Sequence, residues 1–253
     1  MDDVDLLARF MARHAQILAR SSAQVLRLWV SMPGYDRPDV PEFTAAASQV
    51  VEANQLAAAL LVDGYIAKAA GTSPAGLTAE VVTNLREGIT TAEAYQRPFL
   101  RLWRLRAEGV AEQAAQEQAR TYLSSMAQMD TQLAVSHAMV EASDRIDGVV
   151  GYRRVLTGKS CRFCATAATQ RYHTRQLRPL HSGCDCGVAP IIGDRDPGRV
   201  VNDQLLARLK EQGPRYWEKR GFVDSAGNPI DPTQLGPVRT DRNAEIGPVL
   251  VTA

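Results

Sequence analysis

Four cysteines fall between positions 161 and 186, as Cys161-Arg-Phe-Cys164 and then His181-Ser-Gly-Cys184-Asp-Cys186. A Cys-x-x-Cys turn presents two thiolates to one metal ion with little backbone strain. A second pair sixteen or more residues later closes a tetrahedral site, the arrangement structural zinc prefers. Five ligands, Cys161, Cys164, His181, Cys184 and Cys186, compete for four positions, with His173 in reserve. His181 and Cys184 repeat the two-residue gap, whereas Cys184 and Cys186 would share one face of a strand, so both pairings stay open. The chemistry expected is structural Zn2+ and no catalysis.

Other uses of the same residues fit less well. A redox Cys161-x-x-Cys164 needs the motif to open a helix inside a βαβ unit. A zinc-knuckle nuclease of the HNH type would need a metal-binding and a general-base histidine near the knuckle. The chain has four histidines, and His14 and His137 fall in predicted helices. A zinc-finger regulator would need a recognition helix after the second ligand pair, where Gly187–Ile192 reads as strand. The nuclease is the alternative to a structural role.

Charge around the cluster is uneven. From Gly148 through Cys184 there is no Asp or Glu, but Arg153, Arg154, Lys159, Arg162, Arg171, Arg175 and Arg178 are all present, while the whole chain carries only +1. Zinc held by three thiolates and one imidazole would itself carry about −1. So basic a module suits an anionic partner such as nucleic acid, unless some arginines only neutralise the protein's own charge. Arg97, Arg101 and Arg104, on one helical stripe beside Phe99 and Trp103, read as a solvated helix face with Trp103 turned inward.

The elements that must hold this cluster are mostly helical. Apolar residues are 45% and aromatics 6% of 253 residues, a balance that favours helices over a sandwich or barrel. Leu6, Leu7, Phe10, Ile17, Leu18, Val25, Leu28 and Trp29 give helical spacing over residues 5–30, and a second helix is expected over 42–70. A turn at 71–76 and a short helix over Thr78–Arg86 follow. Thr90-x-x-Glu93 has capping-box spacing. From it a long pattern runs to about Arg145, with Pro98 near its first turns and Gly109 as a weak point. Val149–Leu156 and Gly187–Ile192 read as strands flanking the cysteines. Asp196-Pro197 starts another helix, as N-cap and first-turn proline.

The expected fold class is mainly α: a long-helix bundle (1–147), a small α+β zinc-knuckle module with a C-terminal helix (148–222) and an extended or disordered arm (223–253). Segment 148–196 has few large apolar residues, so metal ligation is expected to supply the folding free energy its own core lacks, about 10–16 kcal/mol in zinc-finger peptides. No stretch reads as a bilayer span, so no membrane partner is expected. The acidic N-terminus lacks the basic n-region of a secretory signal, which implies folding in a cytoplasm where thiols stay reduced.

The run Tyr152-Arg153-Arg154-Val155-Leu156-Thr157-Gly158-Lys159-Ser160-Cys161-x-x-Cys164, then Gln170-Arg171-Tyr172, then His181-x-x-Cys184-Asp185-Cys186-Gly187-Val188-Ala189-Pro190, resembles the Mu F-like (MuF) minor head proteins of tailed bacteriophages, most of all those infecting actinobacteria. The resemblance covers about residues 90–200. Many relatives have proline after the histidine where this chain has Ser182, which alters a turn without removing a ligand. The resemblance implies a low-copy virion protein at the portal vertex inside the capsid, made in the host cytoplasm. Its implied partners are the portal protein, other head proteins and double-stranded DNA, and its implied role is in head assembly or DNA packaging and delivery.

Overall fold

Three long helices form the body, the first running antiparallel to the other two, as the pairs Trp29–Gln116, Ser22–Ser124, Phe10–Tyr65 and Trp29–Phe43 show. In this computed structural model, residues 2–83, 85–157, 160, 162–173, 186–219, 222, 228–229, 231, 238–243 and 247–252 are described. Helix α1 (Asp3–Val30) is capped by the Asp2 carboxylate, which accepts from the Val4 amide. Helix α2 (Val40–Ala70) ends at Gly71 in the left-handed conformation. The capping box is present as expected: Thr90 Oγ1 accepts from the Glu93 amide at 3.2 Å, and Glu93 Oε2 accepts from the Thr90 amide at 2.7 Å. Those bonds hold the Glu93 carboxyl below its ordinary range.

The long pattern after that box divides into α3 (Thr91–Ala94), α4 (Arg97–Ala107) and α5 (Glu112–Arg145). Gly109 is the reason. It adopts φ +78°, and the Val110 amide reaches back to the Leu105 carbonyl, a helix-ending geometry that an L side chain would strain. The short helix expected over Thr78–Arg86 is also corrected, since among the described residues of that span a 3-10 turn forms at Ala79–Val82. The buried Asp63 carboxylate straps the preceding chain down by accepting from the amides of Ala75, Gly76 and Leu77 at 2.7, 2.9 and 3.0 Å.

α2 corrects a further expectation. With the 3-10 turn before it, Arg37–Ala70 is 34 residues and contains an 18-residue window of mean hydropathy 1.2, long and apolar enough by length and composition to cross a membrane. Here that apolar surface packs against α1 and α5, and α2 also buries Asn54, Gln55 and Asp63.

The bundle has two apolar clusters with a polar band between them. One cluster gathers Trp29, Phe43, Tyr95, Phe99 and Leu123; the other gathers Leu7, Phe10, Val62, Ile66 and Met139. The band contains the paired hydroxyls of Ser22 and Ser124, Asn54 bonded to Arg20 and Gln24, and buried Asp130. Asp130 Oδ1 meets Arg86 Nη2 at 2.6 Å, its Oδ2 accepts from the Tyr95 hydroxyl at 2.9 Å, and its carbonyl accepts from Gln55. Burial first, then the Asp130 charge, pushes the Tyr95 hydroxyl well above its ordinary pKa.

Beyond α5 the chain forms an antiparallel sheet in the order β2-β1-β3, from β1 (Val149–Val155), β2 (Arg171–Tyr172) and β3 (Gly187–Ile192). The two expected strands are there. β2 and the helix α6 (Arg162–Ala168) before it were not foreseen. Helix α7 (Pro197–Gln212) starts as expected, with Asp196 accepting from the Arg199 amide at 3.0 Å, and α8 (Pro214–Lys219) follows. The larger apolar cluster continues into this module through Tyr152, Val155, Cys164, Tyr172 and Val188, as far as Phe222. The Tyr152 hydroxyl donates to the Met139 carbonyl of α5 at 2.8 Å, and a Cβ at Gly187 would overlap Met11 Sδ of α1. The module's shortage of large apolar residues is therefore met by the bundle's core, which reduces what metal binding alone must supply.

The expected C-terminal arm is corrected in part. β4 (Val238–Asn243) and β5 (Gly247–Thr252) form an antiparallel hairpin, registered from Val238↔Thr252 to Asn243↔Gly247, with β5 beside α6. Val238, Thr240, Val249, Val251 and Thr252 are β-branched residues suited to a pleated surface.

Candidate functional site

Two of the five candidate ligands lie in the interior. Cys164, on α6, is 1% exposed, and Cys186, just before β3, is 3% exposed. Cys161, His181 and Cys184 lie outside the described residues. Tyr172 connects the two sides of the cluster. Its hydroxyl donates to the Ala167 carbonyl at 2.7 Å, within one turn of Cys164, and its pKa is raised to about 12 by burial, lowered by Arg154 and raised by Cys186. Cys186 is thus within electrostatic reach of the last turn of α6. Cys164 and Cys186 are soft donors held away from water, and among the described residues no group of three metal-ligating side chains is brought together.

The sequence reading placed Arg153, Arg154, Lys159, Arg162, Arg171, Arg175 and Arg178 as nucleic-acid or partner contacts. Lys159, Arg175 and Arg178 lie outside the described residues, and Arg162 opens α6. Arg171 is exposed, with Nη2 on the Val150 carbonyl at 3.3 Å. Arg153 is 8% exposed and Arg154 is 4% exposed. The fold itself uses Arg153. Its Nε donates to both Asp196 oxygens at 2.8 and 3.0 Å, and its Nη1 reaches the carbonyls of Ala168, Thr169 and Gln170, the unpaired end of α6. That matches the other possibility the sequence left open, an arginine neutralising the protein's own charge.

Arg154 presents a different problem. It is buried, and its Nε and Nη2 have no hydrogen-bond partner among the described residues. A buried guanidinium requires nearby negative charge. No carboxylate occurs from Gly148 through Cys184, so the cysteine thiolates are the negative groups this segment can offer. A zinc site with three or four thiolates carries about −1 or −2, which answers that charge. The donor set and its surroundings therefore fit zinc.

Asn202 of α7, which the sequence reading missed, locks the module together. Buried, it accepts from the Leu156 amide at 2.8 Å and donates to the carbonyls of Arg154 and Ala168 at 2.6 and 3.2 Å. An asparagine on a helix face has no sequence signal for this, because its partners lie on two other elements. Beside it is a recess of about 250 Å³ whose lining includes Arg153, Thr169, Arg199 and Asp203. Asp196 on Arg153 and Asp203 on Arg199 leave its ion pairs formally balanced, so the recess has no net pull on an anion.

Three expectations about competing chemistry can be set beside the geometry. The Cys161-x-x-Cys164 motif does run into a helix, α6, but the sheet around it is antiparallel, without the parallel crossover of a thioredoxin-like unit. His14 and His137 are on α1 and α5 of the bundle, as expected. On α4, Phe99 is buried, Trp103 Nε1 donates to the Tyr35 carbonyl at 2.7 Å, and Arg101 lies over the Tyr122 ring. That stripe is a packed helix face.

A family model described as VG15 protein matches residues 1–208, from the first helix into α7. No curated protein and no solved structure matches the chain.

Proposed function

Because the chain belongs to the VG15 protein family, a viral (phage) family, we propose that it is a structural minor head protein of a tailed bacteriophage, associated with the portal vertex and packaged DNA. The observation that carries this reading is the family match over both bundle and sheet, joined to the MuF-like run from Tyr152 to Pro190. On this reading the protein is not an enzyme. The helical body is a rigid support, and the cationic module beside it meets portal, head proteins or DNA in the virion.

The zinc in this proposal is structural. Its ligands would be four of Cys161, Cys164, His181, Cys184 and Cys186, and when bound it supplies cross-linking between the two ends of the loop. The chain's own residues do the rest: Arg153 and Asn202 tie α6 to β1 and α7, and Arg154 offsets thiolate charge.

Two measurements test the proposal. Mass spectrometry of purified particles should find the protein at low copy, copurifying with portal. Its presence in infected lysates but absence from particles would remove the head-protein reading. Elemental analysis of the full chain should give about one zinc per chain, and chelation should raise amide exchange between β1 and α7 before it does in α1, α2 and α5. Metal-free protein with unchanged protection there would remove the zinc.

A further inference from the structure

Between α1 and α2 on the bundle's outer face runs an open groove of about 630 Å³. Its floor is apolar, from Leu6 and Phe10 on one helix and Leu60 and Leu61 on the other. Leu60 is 49% exposed, a large apolar side chain open at the groove. Three cations stand around the floor, Arg9 and Arg13 on α1 and Lys68 on α2, and no carboxylate lines the groove. Among the described residues, none of the three makes an ion pair. The groove thus combines an apolar floor with positive charge on both of its walls, while Asp3 and Asp5 stand near the start of α1.

Gly64 supplies an independent observation. It lies inside a 31-residue helix, exposed at the groove, with no positive φ. A Cβ built on it would meet nothing within 4 Å. No steric contact among the described residues requires a glycine there, although glycine weakens a helix interior relative to alanine. What glycine does provide is room for close approach from outside.

We propose that this groove docks an acidic amphipathic helix of a partner protein. Leu6, Arg9, Phe10 and Arg13 follow i, i+3, i+4, i+7 spacing, and Leu60, Gly64 and Lys68 recur every four residues, so each wall offers about two helical turns of contact. That is the footprint of a helix laid in a groove, whose apolar stripe would sit over Gly64 with its flanking carboxylates meeting the cations. A small anionic amphiphile would need its cations gathered at one end. Here they stand on both walls. The proposal stands apart from the phage reading and does not require it.

The test uses the full chain and a fluorescein-labelled, 18-residue helical peptide with leucines at i, i+3, i+4 and i+7 and flanking glutamates. It should bind one to one, at least about tenfold tighter than a charge-reversed lysine peptide, and more weakly as salt rises. Gly64→Leu, which fills the groove, and the triple change Arg9→Glu, Arg13→Glu, Lys68→Glu should each weaken binding at least about tenfold with the melting temperature retained. Gly64→Ala should raise the melting temperature by about 1–3 °C, showing that the glycine does not serve the fold. Equal affinity for the two peptides, or for the parent and Gly64→Leu proteins, overturns the proposal. So does saturable binding of dodecanoate without peptide binding, or self-association abolished by Gly64→Leu, since either names another occupant.

Discussion

Replacing Arg153 with alanine is expected to destabilise the protein by about 3–5 kcal/mol, the range for removing one partner of a buried ion pair. The residue is 8% exposed, and its side chain holds three things at once: the Asp196 carboxylate, the carbonyls at the end of α6, and through Asp196 the first turn of α7. Its loss leaves the partly buried Asp196 carboxylate with only the Arg199 amide and removes the donor shared by three carbonyls. Arg153→Lys should recover only part of the loss, because an ammonium cannot meet a carboxylate and a helix end as a planar fork does. Arg171→Ala, at an exposed position of the adjacent strand, should stay within about 0.5 kcal/mol. Urea unfolding midpoints of the three variants decide the matter. Equal midpoints for Arg153→Ala and the parent protein would mean that the ion pair contributes nothing and would return Arg153 to the pool of available contact residues.

Local rules in the sequence were enough for the ends of most elements. Thr90 and Glu93, and Asp196 with Pro197, announce helix starts through side chains that reach only three residues, so their geometry follows directly from spacing. Gly109 was legible as a weak point but not as a full break, because whether a helix passes through a glycine depends on the packing on either side. The 3-10 turn at Ala79–Val82 was hidden for a similar reason. Asp63 on α2 ties down Ala75 to Leu77, twelve to fourteen residues later and just ahead of the turn, and spacing does not reveal that. α6 went unseen because its short run of alanine and threonine is interrupted by the cysteine spacing, and two-residue β2 is too short to show alternation.

The candidate site was legible by type and less so by environment. The cysteines' metal-binding pattern is local. The burial of Arg153 and Arg154 is not: charged residues in a predicted strand read as solvent-facing, and the Asp196 that explains Arg153 lies forty-three residues away. The claim that the module lacks a core also needed the third dimension. Its small residues pack against α1 and α5, where Met11 and Met139 supply the surface that segment 148–196 does not carry.

Asp130→Ala is the second large effect, and it acts on the bundle, far in sequence from the cysteines. Asp130 is 1% exposed, and its carboxylate is shared by Arg86 and the Tyr95 hydroxyl between two apolar clusters. Alanine there removes the carboxylate facing Arg86 and the acceptor of the Tyr95 hydroxyl together, for an expected loss of about 3–5 kcal/mol. Tyr95→Phe removes one hydrogen bond to a charged acceptor and should cost about 1.5–3 kcal/mol. The double change Asp130→Leu, Arg86→Met tests why the polar band exists. Removing both charges leaves no ion stranded, so the pair should be less destabilising than Asp130→Ala alone. If the band sets helix register, as buried polar groups do in some bundles, that double variant keeps its stability but loses sharp amide dispersion in its spectra. An Asp130→Ala protein within about 1 kcal/mol of the parent would show that water reaches the site and that the band contributes little. A double variant both stable and well dispersed would remove the register role and leave the ion pair as a replaceable element of the core.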